Sequence, residues 1–521
     1  MDILNNKIEI FNSWQKRKNL DKKQHQIDGL KYCLSIELQI PYPNGPKLDK
    51  IKGGIIADEM GLGKTMISFG LIICNIKEYK HTLVALPLAL LTQWKNEIKK
   101  HIGNKAFIYH GPDRNDLYSK IQREKAFIVI TTYGILQSAK SNDWLFQKNF
   151  NRLIADEAHH CRNQNKLYKS LMKVKAEVKW MVTGTPIQNR MKDMVSLCNI
   201  IKINSNSEKH SNIMTPKLKE ILKNHIIKRT KKGLNINLPP LIKNIVEVEW
   251  ESEKEKELAE QIHANMKFTK PNKQNVNRII KFLGKGAIVW LIRMRQVCIL
   301  PDILSNSFKK IEEEGFIDPA SGIRSINSDE MKDEIKNIIT TSLKSSSKIN
   351  AVINTILTQP REERKIIFCH YRQEIDIIKK ILTSHNIKTS VIDGRTKQRE
   401  REIITQRIIS YKDFRLISKS FSEYPRFIYD QVSKFLAPEV IIIQIQTASE
   451  GLNLQHFNQV YFTSPWWNPA LENQAIARAH RIGQKSPVKV FRFVMKGFGK
   501  KSITLDEYCM QIQKVKNEIH I

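Results

Sequence analysis

The chain is 521 residues long, which is enough for about three domains that each bury a core. It carries 86 Lys and Arg against 52 Asp and Glu, and its net charge of +34 predicts a polyanionic partner. Its seven cysteines form no CxxC pair and no Cys/His cluster at zinc spacing, so we expect reduced thiols and no zinc site.

Nucleic acid is the polyanion that this charge favours, and an anionic membrane surface is the other. A lysine-rich solubility surface, or the Ile/Lys/Asn bias of an AT-rich genome, would produce part of the same surplus. The first residues, MDILNNKIEIFNSWQKRKN, lack the apolar core of a secretory signal. Since no apolar run approaches the about 18 residues of a membrane span, we expect a soluble intracellular protein without a membrane partner.

Short apolar runs rich in β-branched residues alternate with longer amphipathic stretches, which predicts an α/β fold with parallel sheets. Ligands of such sheets bind beyond the carboxyl ends of the strands, where the informative residues of this chain fall. The pattern predicts two α/β lobes. The predicted strands are 53–58, 82–87, 127–133, 152–157 and 180–186 in the first lobe, and 365–370, 389–394, 440–447, 459–464 and 488–494 in the second.

Between the lobes the sequence is charged and helical, and 306–348 is polar and Ser-rich. We therefore predict a first lobe with its N-terminal segment at 1–235, a helical protrusion and linker at 236–345, and a second lobe at 346–521. An insertion at about 410–437 places aromatic residues among basic ones. They would contact nucleic acid or form the buried face of a small helical insert, and we favour the insert.

The stretch DEMGLGKT, Asp58 to Thr65, follows the first strand and precedes a helical pattern. Gly61 and Gly63 allow backbone N–H groups to approach phosphate oxygens at a helix N-terminus. Lys64 would then reach the β and γ phosphates, and the Thr65 hydroxyl would bind Mg²⁺. The strict GxxxxGK[ST] pattern has glycine where this chain has Asp58, and a glycine-rich turn packed on a sheet is the alternative.

Two carboxylates, Asp156 and Glu157, follow the fourth strand about a hundred residues later. At this spacing after a phosphate loop, Asp156 is suited to holding Mg²⁺. Glu157 is suited to act as the base that orients and deprotonates an attacking water. An acidic helix N-cap is the alternative. The turn at Thr183 and Gly184 would hydrogen-bond to this acidic pair or to another lobe, or be a plain turn.

In the second lobe, QAIARAHRIGQ carries Gln474, Arg478, Arg481 and Gln484. Three-residue spacing predicts that both guanidinium groups lie on one helical face. Such a pair is usually solvated or salt-bridged, but this helix is otherwise small and apolar, as an arginine finger requires. We expect ATP binding to close the lobes and hydrolysis to release them.

Together these motifs resemble the SWI/SNF-like branch of superfamily 2 ATPases, the double-stranded DNA translocases. The resemblance runs from about Leu20 to Val494. It implies two RecA-like lobes, and the family shares the aspartate at Asp58. The motifs are HQIDGL, IIADEMGLGKT, LPLALLTQWKNE, ITTY, DEAHHCRN, TGTPIQN, IKRTK, LPP, TASEGLNLQ, SPWWNPALENQA and ARAHRIGQ.

The resemblance also implies roles for individual residues, with ATP as substrate and Mg²⁺ as cofactor. Catalysis is assigned to Lys64, Asp156, Glu157, Arg478 and Arg481. The nucleotide-binding set, with Gln26 at the adenine, is Gln26, Asp58, Glu59, Met60, Gly61, Leu62, Gly63, Lys64, Thr65, Gly451 and Gln474, and the Mg²⁺ ligands are Thr65 and Asp156. The DNA-contacting set is Pro87, Trp94, Thr131, Thr132, Tyr133, Thr183, Gly184, Thr447, Trp466 and Asn468.

The run LIRMRQVCILPDI is most similar to the RING-bearing DNA-damage-tolerance subgroup, yet this chain lacks the cysteines for a RING. The segment MKGFGKKSITLDEYCMQIQKVK stands where the family has a short TIEE-like brace. The resemblance implies a DNA-dependent ATPase that moves along duplex DNA, with nucleosome, polymerase or repair factors as possible partners. It would act in the nucleus, or at a cytoplasmic replication site or in a virion if the source is a large DNA virus.

Two alternatives accompany this interpretation. A DEAH-type RNA helicase would carry SAT and QRxGRxGR motifs where this chain has TGT and QAIARAHRIGQ. A catalytically weak DNA-binding scaffold would not need Lys64, the Asp156–Glu157 pair and both arginines. The residues therefore favour the ATPase.

Overall fold

The computed structural model divides the chain into two compact units, Met1–Leu238 and Pro239–Ile521, which are described in turn. The predicted insertion at 410–437 lies outside the described residues. The structure describes residues 2–103, 106–121, 123–161, 165–184, 186, 191–203, 216–276, 279, 287–304, 346–397, 400–401, 403–404, 438–448, 452–499 and 502–519.

In its described part, the first unit contains a seven-stranded parallel sheet with strand order β3-β4-β2-β5-β6-β1-β7. Its central strands are buried along nearly their whole length, as expected of a parallel sheet covered on both faces. The strands are β1 Gly53–Ile56, β2 His81–Leu86, β3 Ala106–Tyr109, β4 Phe127–Thr132, β5 Phe150–Asp156, β6 Ala176–Val182 and β7 Ile226–Ile227.

Helices cover both faces of this sheet. Neighbouring strand residues belong to different cores, since Ile55 lies in one buried cluster and Ile56 in the other. This follows from the alternation of side chains along a strand. The helices are Asp2–Arg17, Gln24–Leu38, Lys64–Cys74, Leu91–His101, Leu117–Ile121, Tyr133–Ser138, Trp144–Gln147, Lys166–Lys173, Met191–Ile200 and Pro216–His225.

The second unit contains a six-stranded sheet in its described part, again parallel, with strand order β10-β11-β9-β12-β13-β8. Its strands are β8 Leu241–Val248, β9 Lys365–Cys369, β10 Thr389–Ile392, β11 Val440–Gln444, β12 Gln459–Phe462 and β13 Val488–Met495. Its helices are Glu253–Ala264, Ala287–Ile299, Ser347–Thr358, Arg372–Ser384, Ile445–Ala448, Pro469–Ala479 and Leu505–Ile519.

The predicted fold class is confirmed, and each predicted strand corresponds to a strand of one of the two sheets. Three strands were not predicted: β3, the two-residue β7, and β8. The structure differs most at β8, which lies inside the segment 236–345 predicted to link the lobes but pairs with β13 at the edge of the second sheet. Its residues, LIKNIVEV, interrupt apolar pairs with Lys, Asn and Glu rather than forming an apolar run, because an edge strand is only half buried.

The last helix of the second unit begins at TLDE, within the segment expected to replace the family's TIEE-like brace. The Thr504 N–H donates to a Glu507 carboxylate oxygen at 3.0 Å, and the Glu507 N–H donates to the Thr504 hydroxyl at 3.3 Å. This reciprocal pair is a capping box. Between them, Asp506 is buried in an ion pair with Lys348. Thr504 to Glu507, called the brace below, therefore ties the start of the last helix to Lys348 of the helix Ser347–Thr358.

Candidate nucleotide-binding site

The predicted phosphate loop lies between β1 and the helix Lys64–Cys74. Gly61 and Gly63 have φ values of 89° and 87°, in the left-handed region that favours glycine. The Lys64 ammonium donates to the Asp58 carbonyl oxygen at 2.9 Å and so bends back over the loop. The backbone conformation and the helix start both fit a cradle for phosphate.

Asp58 anchors a segment far away in the sequence. Its buried carboxylate accepts hydrogen bonds from the backbone N–H and the Nε of Arg229, both at 3.0 Å, and pairs with the same guanidinium through Nη2. The neighbouring Glu59 accepts the Lys231 N–H at 2.8 Å. Both carboxylates, predicted to serve the nucleotide, hold residues 229–231 against the loop in this structure.

Gln26, the predicted adenine contact, lies on the helix Gln24–Leu38 and packs on the same loop. Its side-chain amide donates to the Leu62 carbonyl oxygen at 3.1 Å. A Cβ on Gly63 would lie 2.3 Å from the Gln26 Nε2, so this contact requires glycine. Met60 and Thr65 are partly exposed and complete the predicted set in this loop.

The acidic pair follows β5. Both oxygens of the Asp156 carboxylate are held, Oδ2 by the Trp94 indole N–H at 2.8 Å and Oδ1 by the Glu157 N–H at 2.9 Å. Burial and then the adjacent Glu157 raise the pKa of Asp156 to about 6, although the Trp94 hydrogen bond opposes the shift. Two neighbouring carboxylates of which one is deeply buried favour a bound cation.

Glu157 itself has a φ of 51°, which is uncommon for a residue with a side chain. Its carboxylate lies 3.3 Å from the Nδ1 of His159. The same nitrogen lies 3.2 Å from the hydroxyl of Thr183, which follows β6. The His159 ring therefore joins the acidic pair to the third motif, a contact that the sequence-based prediction allowed for Thr183.

Gly184 brings that third motif to the phosphate loop. A Cβ on Gly184 would lie 2.7 Å from the Met60 Cγ and 3.1 Å from the Lys64 Nζ. Because β5, β6 and β1 are neighbours in the sheet, their carboxyl ends place the three motifs together. Thr185, in the same motif, lies outside the described residues.

In the second unit the predicted arginines do not share one helix, so that prediction is wrong. The helix Pro469–Ala479 contains Arg478 and ends before Arg481. Its end is stabilised by Gln484, whose amide donates to the Ala479 carbonyl oxygen at 3.2 Å. Gln474 of the same helix is buried, and Gly451 lies outside the described residues.

The two arginines are still close enough to affect each other electrostatically. Burial and then the charge of Arg478 lower the pKa of Arg481 to about 10. Holding two guanidinium groups near one another costs free energy, and a bound anion would recover that cost. The pair therefore fits a role in binding phosphate.

Comparison with known proteins then identifies the family. The SNF2-related domain matches residues 25–303, and the helicase conserved C-terminal domain matches residues 347–420 and 430–483. The chain belongs to the SNF2-related family. The resemblance inferred from the motifs is confirmed.

Three curated relatives illustrate the range of SNF2-related proteins that this chain is similar to. It is 26% identical to an uncharacterized ATP-dependent helicase of Mycoplasma genitalium over 95% of this chain and 42% of that protein. It is 24% identical to the DNA repair protein RAD5 of Saccharomyces cerevisiae over 90% of this chain and 53% of RAD5. It is 23% identical to the probable global transactivator of Orgyia pseudotsugata multicapsid polyhedrosis virus, over 85% of this chain and 82% of that protein. The chain spans about half the length of the first two.

The DNA-contact residues predicted for the first unit of this SNF2-related chain are largely buried. Pro87, Thr131, Thr132 and Tyr133 have little exposed surface, and Trp94 is 1% exposed. The Thr131 hydroxyl donates to the Tyr109 carbonyl oxygen at 2.9 Å, and the Tyr133 hydroxyl donates to the backbone of Asp156. In this structure these side chains position the strand ends, so a contact with DNA here would fall on the backbone or on exposed neighbours.

The corresponding residues of the second unit are more accessible. Trp466 is partly exposed and stacks on His370, with ring centroids 5.0 Å apart, while the Arg295 guanidinium lies 4.9 Å from its ring centroid. Asn468 caps the next helix, since its Oδ1 accepts the Ala470 N–H at 3.1 Å. The partly exposed Thr447 donates its hydroxyl to the Gln444 carbonyl oxygen at 2.7 Å.

Two general features of the described residues complete the picture. Within those ranges, no helix combines the length and the apolar character needed to cross a membrane. In the same part of the chain, His, Cys, Asp and Glu side chains form no group of three that could hold a metal ion. A cation at the acidic pair would thus need further ligands from a hydroxyl, water or phosphate.

Proposed function

We propose that this chain hydrolyses ATP in response to duplex DNA and uses the cycle to move along DNA. The observation that carries the proposal is the convergence of Lys64, the Asp156–Glu157 pair and Gly184 at the carboxyl edge of one parallel sheet. Membership of the SNF2-related family supports it. The printed name of a relative, ATP-dependent helicase, is consistent with this reaction.

Each residue of the first unit has a distinct task. The N–H groups of the loop at Gly61 and Gly63 hold phosphate oxygens, and Lys64 exchanges its contact with the Asp58 carbonyl for the β and γ phosphates. Gln26, already packed on the loop, recognises the adenine. Glu157 orients the attacking water and accepts its proton. The His159 contact fixes where that carboxylate lies.

The buried carboxylate of Asp156 and the Thr65 hydroxyl are the residues that would hold Mg²⁺. The raised pKa of Asp156 fits this role, because a neighbouring cation removes the cost of its burial. When bound, Mg²⁺ would neutralise charge on the β and γ phosphates. We also propose that Arg478 and Arg481 of the second unit bind phosphate.

Duplex DNA is the polyanion that the net charge of +34 attracts. Contacts to phosphates would make binding sensitive to salt and nearly independent of sequence. Thr447, Trp466 and Asn468 are the accessible candidates in the second unit. The printed names of two relatives, a DNA repair protein and a viral transactivator, support repair or transcription on DNA-bound complexes as the setting. The place of action would be the nucleus, or the replication site of a large DNA virus.

The decisive experiment measures ATP hydrolysis without nucleic acid, with duplex DNA and with RNA. We expect strong stimulation by duplex DNA, and stimulation by RNA alone or no hydrolysis would contradict the proposal. Lys64→Ala should abolish turnover with weakened ATP binding, and Glu157→Gln should abolish turnover with ATP binding kept. Matched controls are Lys254→Ala and Glu260→Gln, exposed on the helix Glu253–Ala264, which should retain the full rate.

A further inference from the structure

The helix Leu91–His101 has two different faces. Leu91, Trp94 and Ile98 are buried against the sheet, while Lys95 and Lys99 are exposed. The helix begins directly after the turn Leu88–Leu90, where Leu88 is 52% exposed. In this part of the first unit, DNA phosphates would contact the exposed turn and the basic face of the helix that follows it.

The buried face of the same helix reaches the acidic pair. Trp94 is too deeply buried to contact DNA, and its indole N–H donates to the Asp156 Oδ2 at 2.8 Å. The other oxygen of that carboxylate takes the Glu157 N–H. A hydrogen bond to a charged acceptor is stronger than one between neutral groups, so it fixes the direction of the carboxylate.

The indole ring also touches the helix that starts at the phosphate loop. Trp94 and Phe69 meet edge to face, with ring centroids 5.1 Å apart and planes at 69°. Phe69 lies on the helix Lys64–Cys74, which begins with the loop lysine. One side chain thus joins the basic helix to both elements that the proposed function assigns to ATP.

We propose that Trp94 is a positioning residue that couples DNA contact along residues 88–99 to the carboxylate of Asp156. The inference rests on the proposed function and replaces the earlier prediction that Trp94 itself contacts DNA. Packed side chains and directional hydrogen bonds carry energetic coupling between sites. DNA would favour the helix position in which the indole N–H is aligned with Oδ2, and ATP with Mg²⁺ would favour the same position.

Trp94→Phe tests this because it keeps an aromatic ring against Phe69 and removes the N–H donor, while the cavity left by the smaller ring is matched by the control variant below. A hydrogen bond to a charged group is worth a factor of about ten to a hundred in an equilibrium. We expect the ratio of DNA-stimulated to DNA-free hydrolysis to fall by about tenfold or more. DNA affinity should stay within about twofold, because the side chain is buried.

A second measurement does not depend on hydrolysis. A fluorescent, slowly hydrolysed ATP analogue is titrated at several Mg²⁺ concentrations. Trp94→Phe should need about tenfold more Mg²⁺ to reach the tight-binding state, since the carboxylate is no longer held in place. Binding without Mg²⁺ should be unchanged.

Trp14→Phe is the matched control. The Trp14 indole donates to the His101 carbonyl oxygen at 2.9 Å, at the other end of the same helix, and Trp14 lies in the same buried core. This variant loosens the helix without touching Asp156. It should cost similar thermal stability, yet leave both the stimulation ratio and the Mg²⁺ requirement as in the unmodified chain.

Three outcomes would overturn the inference. They are an unchanged Mg²⁺ requirement in Trp94→Phe, a loss of DNA affinity as large as the loss of stimulation, and an equal effect of Trp14→Phe. If the unmodified chain shows no stimulation by DNA, the proposed function fails instead. The Mg²⁺ titration then still decides whether Trp94 positions Asp156.

Discussion

Replacing Arg229 with Met removes the partner of a buried carboxylate beside the phosphate loop. Asp58 is fully buried, and the Arg229 side chain, 17% exposed, also donates to the His25 carbonyl oxygen. Breaking a buried ion pair at one partner costs about 3–5 kcal/mol, and the partial exposure of Arg229 places this pair at the lower end, about 3 kcal/mol. By the conversion of about 1.4 kcal/mol per tenfold, the ordered loop becomes up to about a hundredfold less populated relative to disordered forms.

ATP binds only the ordered loop, so the apparent affinity for ATP falls in proportion to the fraction of molecules whose loop stays ordered. We therefore expect Arg229→Met to weaken ATP binding by tenfold to at most about a hundredfold, and to speed hydrogen exchange over residues 58–66. The measurements are an ATP titration and exchange mass spectrometry. Asp58→Asn combined with Arg229→Met should recover part of the loss, because no unpaired charge remains.

Lys231→Met is the control, since its ion pair with Glu59, 3.4 Å long, is partly exposed and its loss should cost under about 1 kcal/mol. The reasoning is refuted if Arg229→Met binds ATP as the unmodified chain does. It is also refuted if Lys231→Met weakens binding equally.

Two further predictions concern the brace of the second unit. Lys348→Met leaves Asp506 buried without its cation and should destabilise this unit by about 3–5 kcal/mol. The loss should appear as faster hydrogen exchange in the helices Ser347–Thr358 and Leu505–Ile519. Lys496→Met is the control, since it breaks only an exposed pair with Glu249 and should change little. His263 contacts the brace, since its Nε2 accepts the Leu505 N–H at 3.0 Å. Burial lowers the pKa of His263 to about 4, below its ordinary 6.5, so its contribution to stability is complete above pH 6.5 and is lost as the pH falls towards 4. Lowering the pH from 6.5 to 4 should therefore reduce the free energy of unfolding of the unmodified chain by about 3 kcal/mol more than that of His263→Gln. Equal pH dependence of thermal melting in the two proteins would contradict this.

The parallel strands were predictable because they are continuous runs of β-branched residues buried on both faces, as in VIIIQ of β11. The motifs at their ends were predictable for the same reason, since strand ends locate ligand sites in such sheets. β8 was not predicted because an edge strand lacks the apolar run. The end of the helix before Arg481 was missed because it depends on a side chain beyond it, Gln484, rather than on a glycine or proline at the stop.

Contacts between motifs were beyond the sequence for a different reason. Arg229 meets Asp58 across 171 residues, and Trp94 meets Asp156 across 62. Spacing within a helix or strand says nothing about such pairs, which the packing of the whole sheet decides. The IKRTK motif contains Arg229, and the buried charge of Asp58 is the sequence feature that calls for such a partner.

These distant contacts explain how the site is organised. Asp58 is held by Arg229, Asp156 by Trp94, and Glu157 lies beside His159, which also meets Thr183. Asp58 and Asp156 are thus oriented by residues from distant motifs, while Glu157 is oriented by a histidine of its own motif. If the helix or loop that carries Arg229, Trp94 or His159 shifts, the orientation of the carboxylate it contacts changes, although the carboxylate itself stays in the site. Under the proposed function, hydrolysis depends on contact with DNA. We therefore expect variants of Arg229, Trp94 or His159 to lose regulation by DNA before they lose the capacity for hydrolysis.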